Sequence, residues 1–317
     1  MIRHGNKIKL FAGNACPKLA GSIAEKLNTP LGLIEAGKFS DGETSVHIGE
    51  SVRGCDVFVI QSTSQPVNDN LMELLIIIDA LKRASAGRVT AVMPYFGYAR
   101  QDRKAKARDP ISARLVADLI TAAGADRVLT MDFHAPQLQG FFNIPVDHLL
   151  GIPVLSKHII KNGLVTDDFV IVSPDVGSSV RARAMAQKIN APIAIVDKRR
   201  PKSNQVEIMN IVGDVKDKVC LIVDDMIDTA GTLVQGAKAL MDAGAKEVNA
   251  CCTHAVLSGP AYDRIDESPI KQLFVLDTVE QINERKSDKI KYFSIASIFA
   301  EAIESIFGDT PISKLYE

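Results

Sequence analysis

The chain has 317 residues, of which 46% are hydrophobic and 24% are charged, and its 37 Lys and Arg residues face 38 Asp and Glu residues. A chain of this length can form about two domains of ordinary size, each with its own hydrophobic core. The net charge of −1 argues against a general affinity for nucleic acid or for a membrane surface, so any basic site must be local.

The amino-terminal segment and the cysteines indicate the compartment. Residues 1–11, MIRHGNKIKLF, contain no apolar segment long enough for a signal peptide, and no other run reaches the roughly 18 apolar residues of a membrane span. The five cysteines lack CxxC spacing, and Cys220, Cys251 and Cys252 lie in apolar runs, as small buried residues do. We therefore expect a cytoplasmic protein that binds neither membrane nor nucleic acid.

Apolar runs typical of strands alternate with helix-like segments along the chain. The runs are residues 56–60, 88–93, 127–131, 169–173, 192–196, 219–223, 247–253 and 272–276. This alternation predicts an α/β fold of two similar domains, each a mainly parallel sheet flanked by helices. We place the domains at residues 1–150 and 151–296, joined at the turn-rich segment 147–153. We expect the last segment, about 297–317, to pack back on the first domain.

Two segments near the amino terminus are informative. The turn-rich segment 37–43, GKFSDGE, exposes Phe39 between acids, although an isolated Phe more often belongs to a core. Residues 67–84 have apolar side chains around most of a helix, which predicts burial inside a domain or against another subunit.

Positive charge is concentrated after two of the predicted strands. Five cations lie within residues 100–108, directly after the aromatic residues of PYFGY. Asp197 is followed by Lys198, two arginines, Pro201 and Lys202. Either run could be a solvated loop. Arginine also suits polyphosphate through its bidentate fork, and the second run could be a lid that brings charge to a transferring phosphoryl group.

Polar residues also follow the strands that end near residues 131 and 173. His134 comes after Asp132 and Phe133, and Asp175 comes after Ser173 and Pro174. A lone His is more often structural than a ligand. At the carboxyl end of a parallel strand, where ligands of open α/β sheets gather, it can also bind a metal or a phosphate oxygen.

The most informative stretch is residues 218–232, KVCLIVDDMIDTAGT. Its apolar half predicts a buried strand that ends at Asp224 and Asp225, and residues 228–232 predict the start of a helix. A helix start is a natural cradle for a phosphate, because its backbone N–H groups are unpaired. Adjacent carboxylates suit a hydroxyl-rich or metal-bound ligand. The alternative is a solvated strand end followed by an ordinary helix cap.

These segments together resemble the class I, bacterial-type ribose-phosphate diphosphokinase (PRPP synthetase) family over nearly the whole chain. The matching motifs are FSDGE (39–43), RGCD (53–56), NDNLMELL (68–75), PYFGYARQDRK (94–104), DFHAPQLQGFF (132–142), SPD (173–175), DKRRP (197–201), VDDMIDTAGT (223–232) and THAVLSGPA (253–261). The resemblance implies a type I phosphoribosyltransferase-like fold. It also implies transfer of a diphosphoryl group from ATP to ribose 5-phosphate with Mg²⁺, allosteric regulation and a homohexamer that functions in nucleotide biosynthesis.

The resemblance also implies roles for individual residues. The ATP-binding residues would be Phe39, Asp41 and Glu43 of one subunit, Arg100 and Gln101 of another, and His134. The metal-binding residues would be His134 and Asp175. Asp224 and Asp225 would hold the ribose hydroxyls, and Asp228, Thr229, Ala230, Gly231 and Thr232 the 5-phosphate. Lys198 and Arg200 are the expected catalytic cations.

Two departures from the family pattern stand out. The family has two glycines in the segment after Asp175, where this chain has Gly177 and Ser178. If that position takes a positive φ or approaches a ligand closely, Ser178 costs about 1 kcal/mol or more and weakens substrate binding. Ser51, Arg53 and Arg108 match a regulatory phosphate and ADP site, whereas the tail at residues 311–314 matches it less well.

Two other functions stay open. A non-catalytic regulatory paralogue would be expected to lose loop or acid residues, yet Lys198, Arg200, Asp224, Asp225 and His134 are present. A phosphoribosyltransferase that consumes PRPP would not need the cation clusters at 100–108 and 198–202. No P-loop or dinucleotide-binding motif occurs, so ATP must be held by loops and side chains.

Overall fold

The computed structural model describes residues 5, 7–199, 208–281 and 285–316, with backbone alone for Lys198, Arg199, Ile208, Met209 and Tyr316. The chain divides into two units. The first comprises Met1–Leu149, Thr278–Ile282 and Ser294–Glu317, and the second comprises Leu150–Asp277 and Asn283–Phe293. Each unit has a mainly parallel sheet with helices, which confirms the predicted α/β class.

The first unit contains a five-stranded parallel sheet in the order β1-β4-β5-β6-β7 and a separate antiparallel hairpin of β2 and β3. Its elements are β1 (Ile8–Ala12), α1 (Pro17–Lys26), β2 (Ile34–Lys38), β3 (Thr44–Ile48), β4 (Asp56–Ile60), α2 (Val67–Arg83), β5 (Arg88–Met93), α3 (Ser112–Ala123), β6 (Arg127–Met131), a 3₁₀ helix (Pro136–Phe141) and β7 (Val146–Leu149). Every residue of β4 and β5 is buried, as in parallel strands covered on both faces.

The second unit contains a seven-stranded sheet in the order β10-β9-β8-β11-β12-β13-β14, in which β10 pairs antiparallel with β9 and the other neighbours are parallel. Its elements are α4 (Ile152–Lys161), β8 (Phe169–Ser173), α5 (Ser179–Ile189), β9 (Ile193–Arg199), β10 (Ile208–Val212), β11 (Val219–Ile227), α6 (Gly231–Asp242), β12 (Glu247–Ala255), α7 (Ala261–Glu267), β13 (Ile270–Leu276) and β14 (Ile290–Phe293). One face of the sheet packs with α6 and α7 into a hydrophobic core cluster.

The carboxy-terminal segment belongs to the first unit. It forms α8 (Ala296–Phe307), which packs against α1, and a 3₁₀ helix (Ile312–Tyr316). The apolar residues of 295–306 recur at the spacing of a helix, and residues 296–307 form one. Its buried residues include Phe299, Ile303 and Ile306.

Most predicted elements are present, and the differences have physical reasons. The helix predicted at 67–84 is α2, and its Leu74, Ile77 and Ile78 are fully buried. The segment 147–153, which we predicted as a turn-rich joint, instead contributes most of β7 and the start of α4. β7 has four residues, and two of them are Asp147 and His148, so its sequence lacks the apolar signal of a strand.

Cys220, Cys251 and Cys252 are buried, as their apolar neighbours predict. All five cysteines are buried and free of disulfide bonds. Within the ranges that the structure describes, no helix is both long enough and apolar enough to cross a membrane.

Candidate active site

The two adjacent acids of the candidate site, Asp224 and Asp225, lie on strand β11. We predicted that the strand ends before Asp224, but β11 continues to Ile227, so both acids lie within it. Its pairing with β8 ends at Ile222, whereas its pairing with β12 continues to Ile227. The acids therefore lie on the part of β11 that extends past the carboxyl end of β8.

The residue before α5 and a residue of that helix supply polar partners for the two acids. The Ser178 hydroxyl donates a hydrogen bond to Asp224 Oδ1 over 3.3 Å. Arg181 Nη1 forms an ion pair with Asp225 Oδ1 at 3.1 Å. Burial raises the pKa of Asp224 to about 7, and the neighbouring Asp225 carboxylate adds to that rise. The two adjacent acids therefore have different environments, one facing a hydroxyl and the other an arginine.

Ser178 fits the chain without backbone strain. Its φ of −80° and ψ of 0° are right-handed helical values, so the positive φ that would penalise a serine is absent. The turn before α5 is held by Asp175, whose Oδ1 accepts a hydrogen bond of 2.7 Å from the Ser178 N–H. The Ser173 hydroxyl donates to the Asp175 carbonyl over 2.6 Å. Asp175 itself is exposed.

The turn from β11 to α6, residues 228–232, forms an open helix start as predicted. Ala230 precedes the helix with φ 59° and ψ 5°, a left-handed conformation that an alanine adopts only when its surroundings impose it. Ala230, the N-cap residue of α6, makes no side-chain hydrogen bond to the first N–H groups of the helix. These backbone donors and the positive end of the helix dipole suit a phosphate.

Neighbouring backbone and one arginine hold this turn. Leu257 N donates to the Ile227 carbonyl and Ser258 N to the Asp228 carbonyl, each over 3.0 Å. Arg264 Nη1 donates to the Thr229 carbonyl over 2.9 Å. A Cβ at Gly231 would lie 3.3 Å from the same Nη1, so glycine leaves room for the guanidinium.

In the first unit, the β2–β3 hairpin exposes Phe39, a predicted ATP-binding residue. Phe39 N donates to the Glu43 carbonyl over 2.8 Å, and Glu43 N donates to Asp41 Oδ1 over 3.1 Å. Gly42 has φ 95°, which a residue with a side chain rarely adopts. Phe39 lies at the tip of this tight turn and is 58% exposed. It is a surface residue and not part of the core.

The cation-rich segment follows β5. Gln101 accepts a hydrogen bond of 2.5 Å from the Ser112 hydroxyl, which connects the segment to the start of α3. All five cations of the segment are exposed: Arg100, Arg103, Lys104, Lys106 and Arg108. Their charge therefore faces outward, whether toward solvent or toward a ligand.

The turn after β6 places His134 at the surface. Asp132, before it, is buried with φ 38°, and Phe133 N donates to His148 Nε2 over 2.9 Å. Phe133 and His148 also stack with their ring centroids 5.1 Å apart. The turn is therefore fixed by its buried residues, and His134 is exposed next to them.

Other predicted site residues lie elsewhere or outside the described chain. Lys198 lies in β9, where it pairs with Met209, but its side chain is not described, and Arg200 lies outside the described residues. Ser51 and Arg53 precede β4 and Arg108 precedes α3, and all three are exposed. Their regulatory role stays a prediction. His134 belongs to the first unit and Asp175 to the second.

Three residues that we did not predict as site residues contact the acid pair or the turn that follows it. They are Ser178, Arg181 and Arg264. Arg181 lies three residues into α5 with no motif around it, and Arg264 lies 35 residues beyond Thr229. Of the three, Arg264 alone lies close after a family motif, THAVLSGPA, which could have indicated it.

Family models and similar proteins of known sequence all indicate the same family. The model of the N-terminal domain of ribose phosphate pyrophosphokinase matches residues 8–124, and that of the phosphoribosyl synthetase-associated domain matches residues 181–317. A ribose-phosphate pyrophosphokinase of Clostridium perfringens is 64% identical over 318 residues, covering 100% of both chains. The one of Caldanaerobacter subterraneus is 64% identical over 316 residues, again covering 100% of both.

A solved structure is similar as well. The crystal structure of phosphoribosylpyrophosphate synthetase from Mycobacterium smegmatis has a TM-score of 0.91 and 43% sequence identity, and the match covers 96% of this chain and 100% of that one. Because both family models match and relatives of this identity align along the whole chain, the protein belongs to the ribose-phosphate pyrophosphokinase family.

Proposed function

We propose that this protein transfers the intact diphosphoryl group of ATP to the C1 hydroxyl of ribose 5-phosphate, giving PRPP and AMP. The observation that carries the proposal is the 64% identity, over the full length of both chains, to a ribose-phosphate pyrophosphokinase. In this reaction the C1 oxygen forms a bond to the β-phosphorus, and the bond from that phosphorus to the bridging oxygen of the α-phosphate breaks. The bridging oxygen and its electron pair leave with AMP, and the proton of the C1 hydroxyl is released to solvent.

The second unit would bind the sugar phosphate. Asp224 and Asp225 offer carboxylate oxygens that accept hydrogen bonds from ribose hydroxyls. The 5-phosphate would be held by Asp228, Thr229, Ala230, Gly231 and Thr232, whose backbone donors and hydroxyls surround an uncapped helix start. Holding the sugar at both ends would align its C1 hydroxyl with the phosphorus, which can supply a large part of the rate enhancement.

The first unit would bind ATP. The exposed Phe39 offers a face for the base to stack on, and Asp41 and Glu43 on the same turn could accept hydrogen bonds from its amino group. Arg100, Gln101 and His134 would contact the nucleotide and its phosphates, with Arg100 suited to phosphate through its fork. The exposure of these residues supports the proposal, because a binding face must be accessible.

Mg²⁺ is the metal that we propose for this reaction. No three His, Cys, Asp or Glu side chains are arranged as a metal site in the described part of the chain. Mg²⁺ is usually held by one or two carboxylates, water and substrate phosphates. The exposed Asp175 fits such a role, whereas the imidazole of His134 fits a phosphate oxygen better than a hard cation. When bound, the metal would neutralise charge on the transferring group.

Lys198 and Arg200 are the cations that we propose for the transition state. Negative charge spreads over the transferred oxygens, and fixed cations stabilise it. We expect Lys198→Ala to lower kcat more than tenfold, above about 1.4 kcal/mol, with little change in the binding of ribose 5-phosphate. Steady-state kinetics measure this. Lys188→Ala, which removes an exposed cation of α5, serves as the control. Wild-type turnover of Lys198→Ala would refute the role.

One assay separates this function from the alternatives. The purified protein is incubated with ATP, Mg²⁺ and ribose 5-phosphate, and AMP and PRPP are quantified. Equal amounts of both products are expected. Absence of AMP would favour a regulatory paralogue, and consumption of PRPP only when a base is added would favour a phosphoribosyltransferase.

We further propose a homohexamer in the cytoplasm, with Ser51, Arg53 and Arg108 forming a regulatory phosphate site. The family resemblance supports the oligomer and the regulatory site. The five buried cysteines without disulfides support a reducing compartment.

A further inference from the structure

Arg264 contacts the turn that the proposed function assigns to the 5-phosphate, yet it lies outside that turn. It projects from α7, and its Nη1 donates to the Thr229 carbonyl over 2.9 Å. With the bonds from Leu257 N and Ser258 N, three successive carbonyls, those of Ile227, Asp228 and Thr229, are all engaged by the segment 257–264. The guanidinium holds the last of them.

This contact sets the direction of a backbone donor. In a trans peptide the C=O of one residue and the N–H of the next point in opposite directions. Because the Thr229 carbonyl faces Arg264, the N–H of Ala230 faces away from it. Ala230 is also the residue with left-handed backbone angles, so the contact fixes the turn at the point where its conformation is least favourable.

The charge of Arg264 has no counter-ion in the described part of the chain. No carboxylate there lies within ion-pair distance of its guanidinium, and its recorded partner is a neutral carbonyl. It also stands at the start of α6, where the helix dipole is positive and disfavours a cation. The neighbouring Arg285 differs, because it pairs with Asp263 and lies over the Tyr262 ring. An anion bound at the turn would offset the unfavourable interaction between the Arg264 guanidinium and the positive end of the α6 dipole.

We propose that Arg264 is a positioning residue of the sugar-phosphate site. It holds the Thr229 carbonyl so that the Ala230 N–H faces the phosphate, and its positive charge also attracts the phosphate dianion. The inference rests on the proposed function, which assigns residues 228–232 to the 5-phosphate. Because Arg264 acts on the turn and not on the nucleotide, its loss should change sugar-phosphate binding alone.

The test measures ribose 5-phosphate binding to the full chain by calorimetry, without nucleotide or metal. Arg264→Gln should weaken binding at least tenfold, and Arg264→Lys should weaken it less, because it keeps the charge but loses the planar fork. Arg285→Gln is the matched control: it removes the same charge from an arginine that contacts α7 but not the turn, and it should stay within twofold of wild type.

Kinetics and thermal melting complete the test. Arg264→Gln should raise the KM for ribose 5-phosphate at least tenfold and change the KM for ATP less than twofold. Without ligand its melting temperature should change little, because loss of the hydrogen bond to Thr229 is offset by removal of an uncompensated charge at the start of α6. Binding by Arg264→Gln within twofold of wild type would overturn the inference. So would equal weakening by Arg264→Gln and Arg285→Gln, because it would reflect net charge alone.

Experiments can distinguish failure of the proposed diphosphoryl transfer from failure of the proposed role of Arg264. A wild-type protein that binds ribose 5-phosphate, loses that binding in Arg264→Gln and yet forms no PRPP would refute the proposed function and support the role of Arg264. A wild-type protein that forms PRPP while Arg264→Gln binds the sugar phosphate normally would refute only the role of Arg264.

Discussion

At the scale of single residues, burial decides the chemistry of Asp224. Its pKa is raised to about 7, first by burial and then by the adjacent Asp225 carboxylate. In the unfolded chain this carboxyl has an ordinary pKa near 3.8. The folded protein therefore holds a proton on Asp224 between about pH 4 and pH 7 that the unfolded chain has lost.

This difference predicts a pH-dependent stability. The stabilisation from protonated Asp224 is fully present below the unfolded pKa and is lost as pH rises through about 7. At about 1.4 kcal/mol per pKa unit, the loss amounts to a few kcal/mol. Asp224→Asn mimics the neutral form, so it should lack this decline. Denaturant unfolding of both proteins from pH 4 to pH 8 measures the difference.

Asp242→Asn, an exposed acid on α6, is the control and should keep the wild-type pH profile. If Asp224→Asn and wild type change in parallel across this range, the raised pKa of Asp224 is not coupled to folding.

The residue scale also shows how far sequence reasoning reaches. The run 224–232 was recognisable because its acids, threonines and glycine are contiguous. Arg181 and Arg264 were not, because each meets the site from a different helix and a single exposed or half-buried arginine on a helix has no distinguishing pattern. Ser178 was noticed as a departure from the family, but its φ and its hydrogen bond to Asp224 depend on the folded turn.

At the scale of elements, the β2–β3 hairpin that carries Phe39 is tied to α2 and to the turn after β1. Glu73, 7% exposed on α2, accepts hydrogen bonds from Asn14 N and Asn14 Nδ2, each 2.7 Å, and from Gln61 Nε2 at 2.8 Å. Asn14 Nδ2 also donates to the Ala36 carbonyl of β2 over 3.1 Å. One buried carboxylate thus orients the residue that holds the hairpin.

We expect Glu73→Gln to destabilise the protein by about 1–3 kcal/mol, because the new amide group faces buried donors and leaves one of them unpaired. If the hairpin binds the ATP base, the KM for ATP should rise as well. Urea unfolding and steady-state kinetics measure the two effects.

Asp69→Asn provides the comparison, because Asp69 of α2 also contacts the hairpin through Lys38 at 2.5 Å, but in an exposed ion pair. Such pairs contribute at most about 1 kcal/mol. Equal effects of the two substitutions would show that the buried network has no special role.

Elements were predictable where their signal was strong. The buried strands β4, β5, β6 and β8 have the predicted bounds because their apolar runs end in polar turns. The hairpin strands were missed because they are largely exposed or half-buried and lack a continuous apolar run. β11 was predicted too short because polar acids within a strand resemble its end, whereas pairing with β12 continues past them.

At the scale of the whole molecule, the first unit contains the end of the chain as well as its beginning. Residues 294–317 belong to that unit although the second unit precedes them in sequence. The apolar spacing of residues 295–306 is typical of a helix, and we expected the last segment to pack back on the first domain, but no local pattern specifies a contact with α1. The contact with α1 and an interaction at the end of α8 determine its place.

That interaction is a buried ion pair with a third partner, and it supplies a test of how the first unit is held together. Arg88 of β5 and Asp56 of β4 form the pair, with side chains 8% and 0% exposed, and Arg88 Nη2 also donates to the Ile306 carbonyl over 2.9 Å. Arg88→Met should lower the free energy of unfolding by about 3–5 kcal/mol, because it leaves a buried carboxylate without its partner.

The matched control is Arg83→Met, which removes an arginine from an exposed pair with Asp79 and should lower the free energy of unfolding far less than Arg88→Met. The double variant with Asp56→Leu and Arg88→Met should regain most of the loss, since no unpaired charge then stays buried. Denaturant unfolding measures all three proteins. If Arg88→Met is no more destabilising than Arg83→Met, the pair does not hold β4, β5 and the end of α8 together.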